Sequence, residues 1–156
     1  MMRISWVEAL AISCGGIPVS AENVKSLQEQ GIGAIVTLTE HPLTSQKELT
    51  AELFAEAGIE VLHVPVVDQQ PPTKDQAHKV LEFVTAMKNR QKPVYIHCHA
   101  GIGRTGTMLH AVYLLSGMKL EDAKQKIKAT RPTSQFFMLS DSQKEFLENL
   151  ATELGM

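Results

Sequence analysis

Short apolar runs alternate along this chain with longer stretches in which apolar residues recur every three or four positions. The runs "ISWV" (4–7) and "ALAIS" (9–13) predict two opening strands. Ser20 then caps a helix to about Gln30, ended by Gly31, and "AIVTL" (34–38) predicts a buried strand. The order Ser45-Gln46-Lys47-Glu48 is a capping-box pattern, predicting a helix to about Ala57 with Gly58 as its stop. A strand "IEVLHVPV" (59–66) follows. The adjacent prolines of "DQQPP" (68–72) then impose a loop, because proline breaks both helix and strand.

Thr73 to Gln76 cap a long helix to about Arg90, whose apolar positions Ala77, Val80, Leu81, Val84 and Met87 fall on one face. Pro93 opens the strand "VYIH" (94–97). Helices over about 105–116, 120–130 and 140–154 complete the chain, with Arg131-Pro132 between the last two. Strands alternating with helices predict an α/β fold, a single domain with a central, largely parallel sheet flanked by helices. Such sheets form their sites at the carboxyl ends of the strands, where Cys98 and the loop carrying Asp68 both fall.

Composition narrows the picture. At 156 residues one domain spanning 1–156 is expected, able to bury roughly 70% of its unfolded surface. A net charge of -2 with no block of like charges argues against nucleic acid as a partner, so any anion site is local. The two cysteines, Cys14 and Cys98, form no C-x-x-C, and this usage fits a reducing, cytoplasmic compartment. Glu8 interrupts the apolar opening, and no run approaches ~18 apolar residues, so neither an export signal nor a membrane association is expected. Cys14 reads as a small core residue.

The chemistry concentrates in "VYIHCHAGIGRTGT" (94–107), which four kinds of site could use. A metal centre would draw on His97, His99 and His63, but the spacing is not that of a zinc site, and adjacent His-Cys-His sends the cysteine to the opposite side. Gly101, Gly103 and Gly106 spell G-x-G-x-x-G. The acidic residue that should end a following strand about 20 positions on is replaced by a helix start at Leu120-Glu121-Asp122. A nucleotide P-loop requires a lysine before the Ser/Thr, and Arg104 stands there.

A phosphate cradle beside a thiolate accounts for every residue. Five residues, two of them glycine, separate Cys98 from Arg104, short enough for successive N–H groups to converge on one anion. Gly101 and Gly103 allow the backbone its close approach. The helix starting near Arg104 adds the positive end of its dipole, and the Arg104 fork can grip two phosphoryl oxygens. The same field would draw the Cys98 thiol down from its usual ~8.5, leaving a nucleophile that needs no base. Thr105 can donate its hydroxyl to the sulfur.

The segment "HCHAGIGRTG" matches H-C-x5-R-T without a gap and resembles the cysteine-dependent protein tyrosine phosphatase superfamily. Together with "GIGAIVTLTE" (31–40) and "HVPVVDQQPP" (63–72), it is similar to the small atypical dual-specificity phosphatases over nearly the whole chain. The resemblance implies a protein tyrosine/dual-specificity phosphatase fold. It implies Cys98 as nucleophile, with Arg104 and the backbone of His99, Ala100, Gly101, Ile102 and Gly103 as phosphate ligands, and Asp68 as proton donor and later base. It further implies supporting roles for His97, which would orient the loop and perturb the thiolate, for Thr105, and for Glu40 near the pocket. No metal or other cofactor is implied, and the expected substrate is a phosphorylated protein or peptide acted on by a monomer.

The chain departs from that family at "RPTSQFFMLSDSQ" (131–143), where Thr133 stands in a glycine position and the segment is roughly three residues longer. Gln135 and Gln143 therefore remain alternatives for the residue that positions the hydrolytic water. Phosphoinositides and other small phosphomonoesters are second-choice substrates, because the loop carries no lysine. A non-catalytic phosphate-binding module or a rhodanese-type sulfurtransferase would use a similar loop, and Asp68 disfavours both.

Overall fold

The computed structural model describes residues 1–156. Five strands form one sheet: β1 (Ser5–Glu8), β2 (Ile12–Gly15), β3 (Ala34–Thr37), β4 (Glu60–His63) and β5 (Val94–His97). Their order is β1-β2-β5-β3-β4, with β2, β5, β3 and β4 parallel and β1 antiparallel at one edge. Six helices surround it: α1 (Ala21–Glu29), α2 (Ala51–Ala57), α3 (Lys74–Asn89), α4 (Gly103–Leu115), α5 (Leu120–Thr130) and α6 (Asp141–Leu154). The α/β class read from the sequence is the class observed.

Strand alternation divides the interior. Val94, Ile96 and Cys98 join Ala34, Val36, Ile12 and Cys14 in the larger core, under α3 to α6. Ile35 and Tyr95 point the other way, into a smaller core with Val24 and Leu27 of α1 and Phe54 of α2. His97 follows Tyr95, its ring stacked on the tyrosine at 6.1 Å. The two-residue period therefore sends Cys98 towards α4 and His97 to the opposite face. α4 runs through the larger core with every residue from Arg104 to Leu114 buried.

Most helix starts obey their sequence signals. Ser20 accepts from the Asn23 N–H, and Thr73 with Gln76 and Ser140 with Gln143 form complete capping boxes. The expected helix from Ser45 does not form. Residues Leu43–Ser45 make a single 3-10 turn, and α2 starts at Ala51 with Thr50 as its cap. The Ser45 hydroxyl donates back to Pro42 O (2.8 Å), and Glu48 accepts from the Ala21 N–H instead. Leu49 is meanwhile drawn fully into the core.

Three other boundaries shift. β2 begins at Ile12, because Ala9 and Leu10 form a turn in which Leu10 takes φ 60°. β4 ends at His63, although Val64 and Val66 still donate to Thr37 O and Leu38 O; Pro65 between them has no N–H to offer. α4 starts at Gly103 rather than Thr105, bringing Arg104 into its first turn.

Candidate active site

The carboxyl ends of β2, β5, β3 and β4 lie side by side, and the residues leaving them assemble the site. β5 runs into the loop 98–103, β3 leads to Glu40, and β4 leads to Asp68. A surface groove of about 470 Å³ between α1 and α2 is lined by none of these residues. Two smaller clefts are. One of about 200 Å³ includes Asp68, Ile102, Gly103, Leu139 and Gln143; another of about 250 Å³ includes Glu40, His41, His99 and Arg104.

The loop is shaped by where its carbonyls go. His97 O accepts from Leu38 N–H (3.0 Å) and His99 O from Ile17 N–H (3.0 Å). Cys98 O accepts from His97 Nδ1–H (2.8 Å), and Ile102 O from Gly106 N–H (2.8 Å). Gly101 O accepts three donors: Arg131 Nε (3.0 Å), Arg131 Nη2 (2.9 Å) and Ser134 Oγ (2.8 Å). With the carbonyls drawn outward, the amides of Gly101, Ile102 and Thr105 turn on Cys98 Sγ.

Gly101 is fixed by this geometry. It sits at φ +74°, and a Cβ there would run into Gly15 O.

Cys98 is nearly enclosed, at 4% exposure. Burial alone would raise its pKa. The Thr105 hydroxyl, 3.2 Å from Sγ, and the three amides outweigh burial and bring the thiol below its ordinary value. Cys14 lacks such donors, and burial pushes it up to about 12. Burial likewise brings His97 down to about 4, so its ring is neutral at pH 7. Its Nδ1 donates to the Cys98 carbonyl, and its Nε2 accepts from the Thr37 hydroxyl at 2.9 Å. His97 therefore touches the loop through the Cys98 backbone, not through the sulfur.

Arg104 is 5% exposed and divides its donors. Nη1 bonds Glu40 Oε1 (2.6 Å) and Val66 O (2.9 Å). Nη2 lies 3.7 Å from Asp68 Oδ1, while Nε is buried with no partner in the protein. The Nε–Nη2 edge is thus the fork left to an oxyanion. Glu40 is held below the usual carboxylate range, first by its own backbone amide and then by Arg104. Asp68 is 68% exposed at the rim.

The sequence-read residues Glu40, Asp68, His97, Cys98, His99–Arg104 and Thr105 therefore gather at one place. Arg131 and Ser134, which clamp Gly101, were not foreseen. The only sign was "RP", readable as a helix break. The two glutamines lie in different surroundings. Gln143 is buried against Gly103, its amide 3.3 Å from a Cβ built there, whereas Gln135 lines a separate groove with Phe136, Phe137 and Lys124.

A family model described as "Polymorphic toxin system, DSP-PTPase phosphatase" matches residues 12–118, from β2 through the loop and α4. The chain belongs to this phosphatase family. By family it is a phosphatase, a phosphoric monoester hydrolase. This phosphatase is 26% identical over 141 residues to mouse "Phosphatidylglycerophosphatase and protein-tyrosine phosphatase 1", covering 90% of this chain and 72% of that one. To human "Dual specificity protein phosphatase 15" it is 27% identical over 116 residues, 73% of this chain and 36% of that one. The phosphatase shares its fold with Tk-PTP in the active form (TM-score 0.80, 24% identity, 96% of each chain). It also shares it with PTPMT1 in complex with PI(5)P (TM-score 0.79, 23% identity, 96% and 94% covered).

Proposed function

We propose that this phosphatase hydrolyses phosphate monoesters without a metal, through a covalent phosphocysteine, with phosphotyrosine in proteins or peptides as its first substrate class and phosphoserine and phosphothreonine as further ones. The observation that carries the reading is the pairing of a thiol lowered by converging donors with an arginine whose Nε is buried and unpartnered beside it. Nucleophile and anion fork share one loop.

On this reading the Cys98 thiolate attacks phosphorus and the bond to the ester oxygen breaks. Arg104 Nε and Nη2 hold two phosphoryl oxygens, and the amides of residues 99–104 hold the rest. Asp68 gives its proton to the leaving oxygen. In the second step Asp68 takes a proton from water as the water oxygen attacks phosphorus and the P–S bond breaks. The Thr105 hydroxyl, already 3.2 Å from Sγ, stabilises the departing thiolate. Glu40 and the Val66 carbonyl occupy Nη1 and so present the other edge of Arg104 to substrate. His97 holds the Cys98 carbonyl. The protein acts as a monomer in a reducing cytoplasm, where Cys98 stays a thiol.

Two features favour a protein substrate: the loop interior carries no lysine for a polyanionic headgroup, and the flanking clefts are small. A lipid phosphomonoester is the second reading, favoured by the similarity to the mouse phosphatidylglycerophosphatase and protein-tyrosine phosphatase 1 and by the PI(5)P complex of PTPMT1.

Hydrolysis of para-nitrophenyl phosphate with a chelator present, by the parent and by Cys98→Ser, tests the chemistry. Activity that survives chelation and vanishes in the variant is expected; activity lost to the chelator contradicts it. A higher kcat/KM for a phosphotyrosyl peptide than for phosphatidylglycerophosphate or PI(5)P is expected, and the reverse order would establish the lipid reading.

A further inference from the structure

The segment joining β4 to α3 (residues 64–73) has no strand or helix to hold it, yet it is gripped at four carbonyls. Gln76 Nε2 donates to Pro65 O (2.8 Å) and Arg104 Nη1 to Val66 O (2.9 Å). Ser140 Oγ and Ser142 Oγ both donate to Gln69 O (2.8 and 3.2 Å), and Gln143 Nε2 reaches Gln70 O (3.4 Å). Asp68 rides a tight turn closed by Gln70 N–H on Val67 O (3.0 Å). In that turn Gln69 takes φ +69°, a conformation that glycine or asparagine adopts far more readily. The two serine hydroxyls close on the carbonyl of this one unfavourable residue.

We propose that Ser140 and Ser142 are positioning residues that latch the Asp68 turn to the start of α6, setting the carboxyl at the rim of the phosphate loop. The proposal rests on the reading of Asp68 as proton donor. Ser140 performs two jobs with one hydroxyl: it accepts from Gln143 N–H as the cap of α6 (3.2 Å) and donates its own proton to Gln69 O. Latch and helix cap are therefore the same group. The grip spans 71 and 73 residues of sequence.

A latch on the proton donor acts on the step that expels the leaving group, and it matters most when that group is a poor one. The test compares kcat/KM for phenyl phosphate with that for 2,4-dinitrophenyl phosphate, whose leaving group departs without a proton. The variant Ser140→Gly/Ser142→Ala removes both donors, and glycine is a tolerable helix cap. For phenyl phosphate a fall of about 10-fold is expected, part of the 10²–10⁴-fold a positioned acid supplies; for the dinitrophenyl ester a fall under about 3-fold. Ser140→Thr in the Ser142→Ala background restores most of the phenyl phosphate rate.

Equal losses on both esters, or no loss on phenyl phosphate with folding intact by thermal melt, would overturn the latch. Asp68→Asn serves as the reference. If it spares phenyl phosphate turnover, the reading of Asp68 fails and takes the latch with it. If it alone shows the leaving-group dependence, Asp68 stands and the latch falls.

Discussion

Cys98 and Cys14 lie in the same core, but only Cys98 is met by a hydroxyl and three amides. Their reactivities should therefore separate. At pH 6 iodoacetamide is expected to alkylate Cys98 and to leave Cys14 untouched, read by peptide mass spectrometry; equal labelling would contradict the electrostatic account. Arg104 acts by geometry as much as by charge. Arg104→Lys keeps the cation but loses the Nε–Nη2 fork, and kcat/KM for para-nitrophenyl phosphate should drop by about 10²–10³-fold. A drop under about 10-fold would mean that point charge suffices.

At the scale of elements, the loop is a folded unit whose shape depends on contacts far along the chain. Gly101→Ala asks for a side chain at φ +74° where Gly15 O and Arg131 already stand, so the loop must open. The variant is expected to lose vanadate binding and turnover while keeping a cooperative melt; retention of tight vanadate binding would show that the loop tolerates the change. Thr50→Ala removes the cap of α2, and a loss of about 1 kcal/mol in chemical denaturation is expected with activity unchanged.

These elements also show what was legible beforehand. The loop could be read from residues 97–105 because nucleophile, glycines and arginine are contiguous, and α1 and α3 announced themselves through Ser20 and Thr73. Ser45 carried an equally good signal that failed. Its hydroxyl found Pro42 O and Glu48 found Ala21, partners that helix-cap patterns do not encode. The Arg131–Gly101 clamp and the grip of Ser140 and Ser142 on Gln69 join residues 30 to 73 apart, and nothing local marks either.

For the whole molecule, buried histidines tie stability to pH. Burial holds His97 and His110 near 4, against an ordinary 6.5. The unfolded chain takes up these protons near 6.5 and the folded one only near 4. Stability is therefore fully present above about 6.5 and is lost as pH falls towards 4, by up to about 3 kcal/mol for each histidine. Denaturant titrations at pH 7, 5.5 and 4.5 should show that decline, and His110→Leu should make it shallower by close to one proton; an unchanged slope would contradict the assignment. His110 Nε2 is buried without a partner, which makes its protonation a cost to the fold without serving the chemistry.

The central claim is that a phosphoryl group passes through the sulfur of Cys98. Acid-quenched mass spectrometry during turnover of para-nitrophenyl phosphate tests it directly, using Asp68→Asn to slow the second step. The account predicts a transient gain of about 80 Da on the peptide carrying Cys98, absent from Cys98→Ser, as a covalent intermediate requires. Turnover with no adduct on that peptide under any quench time would contradict it.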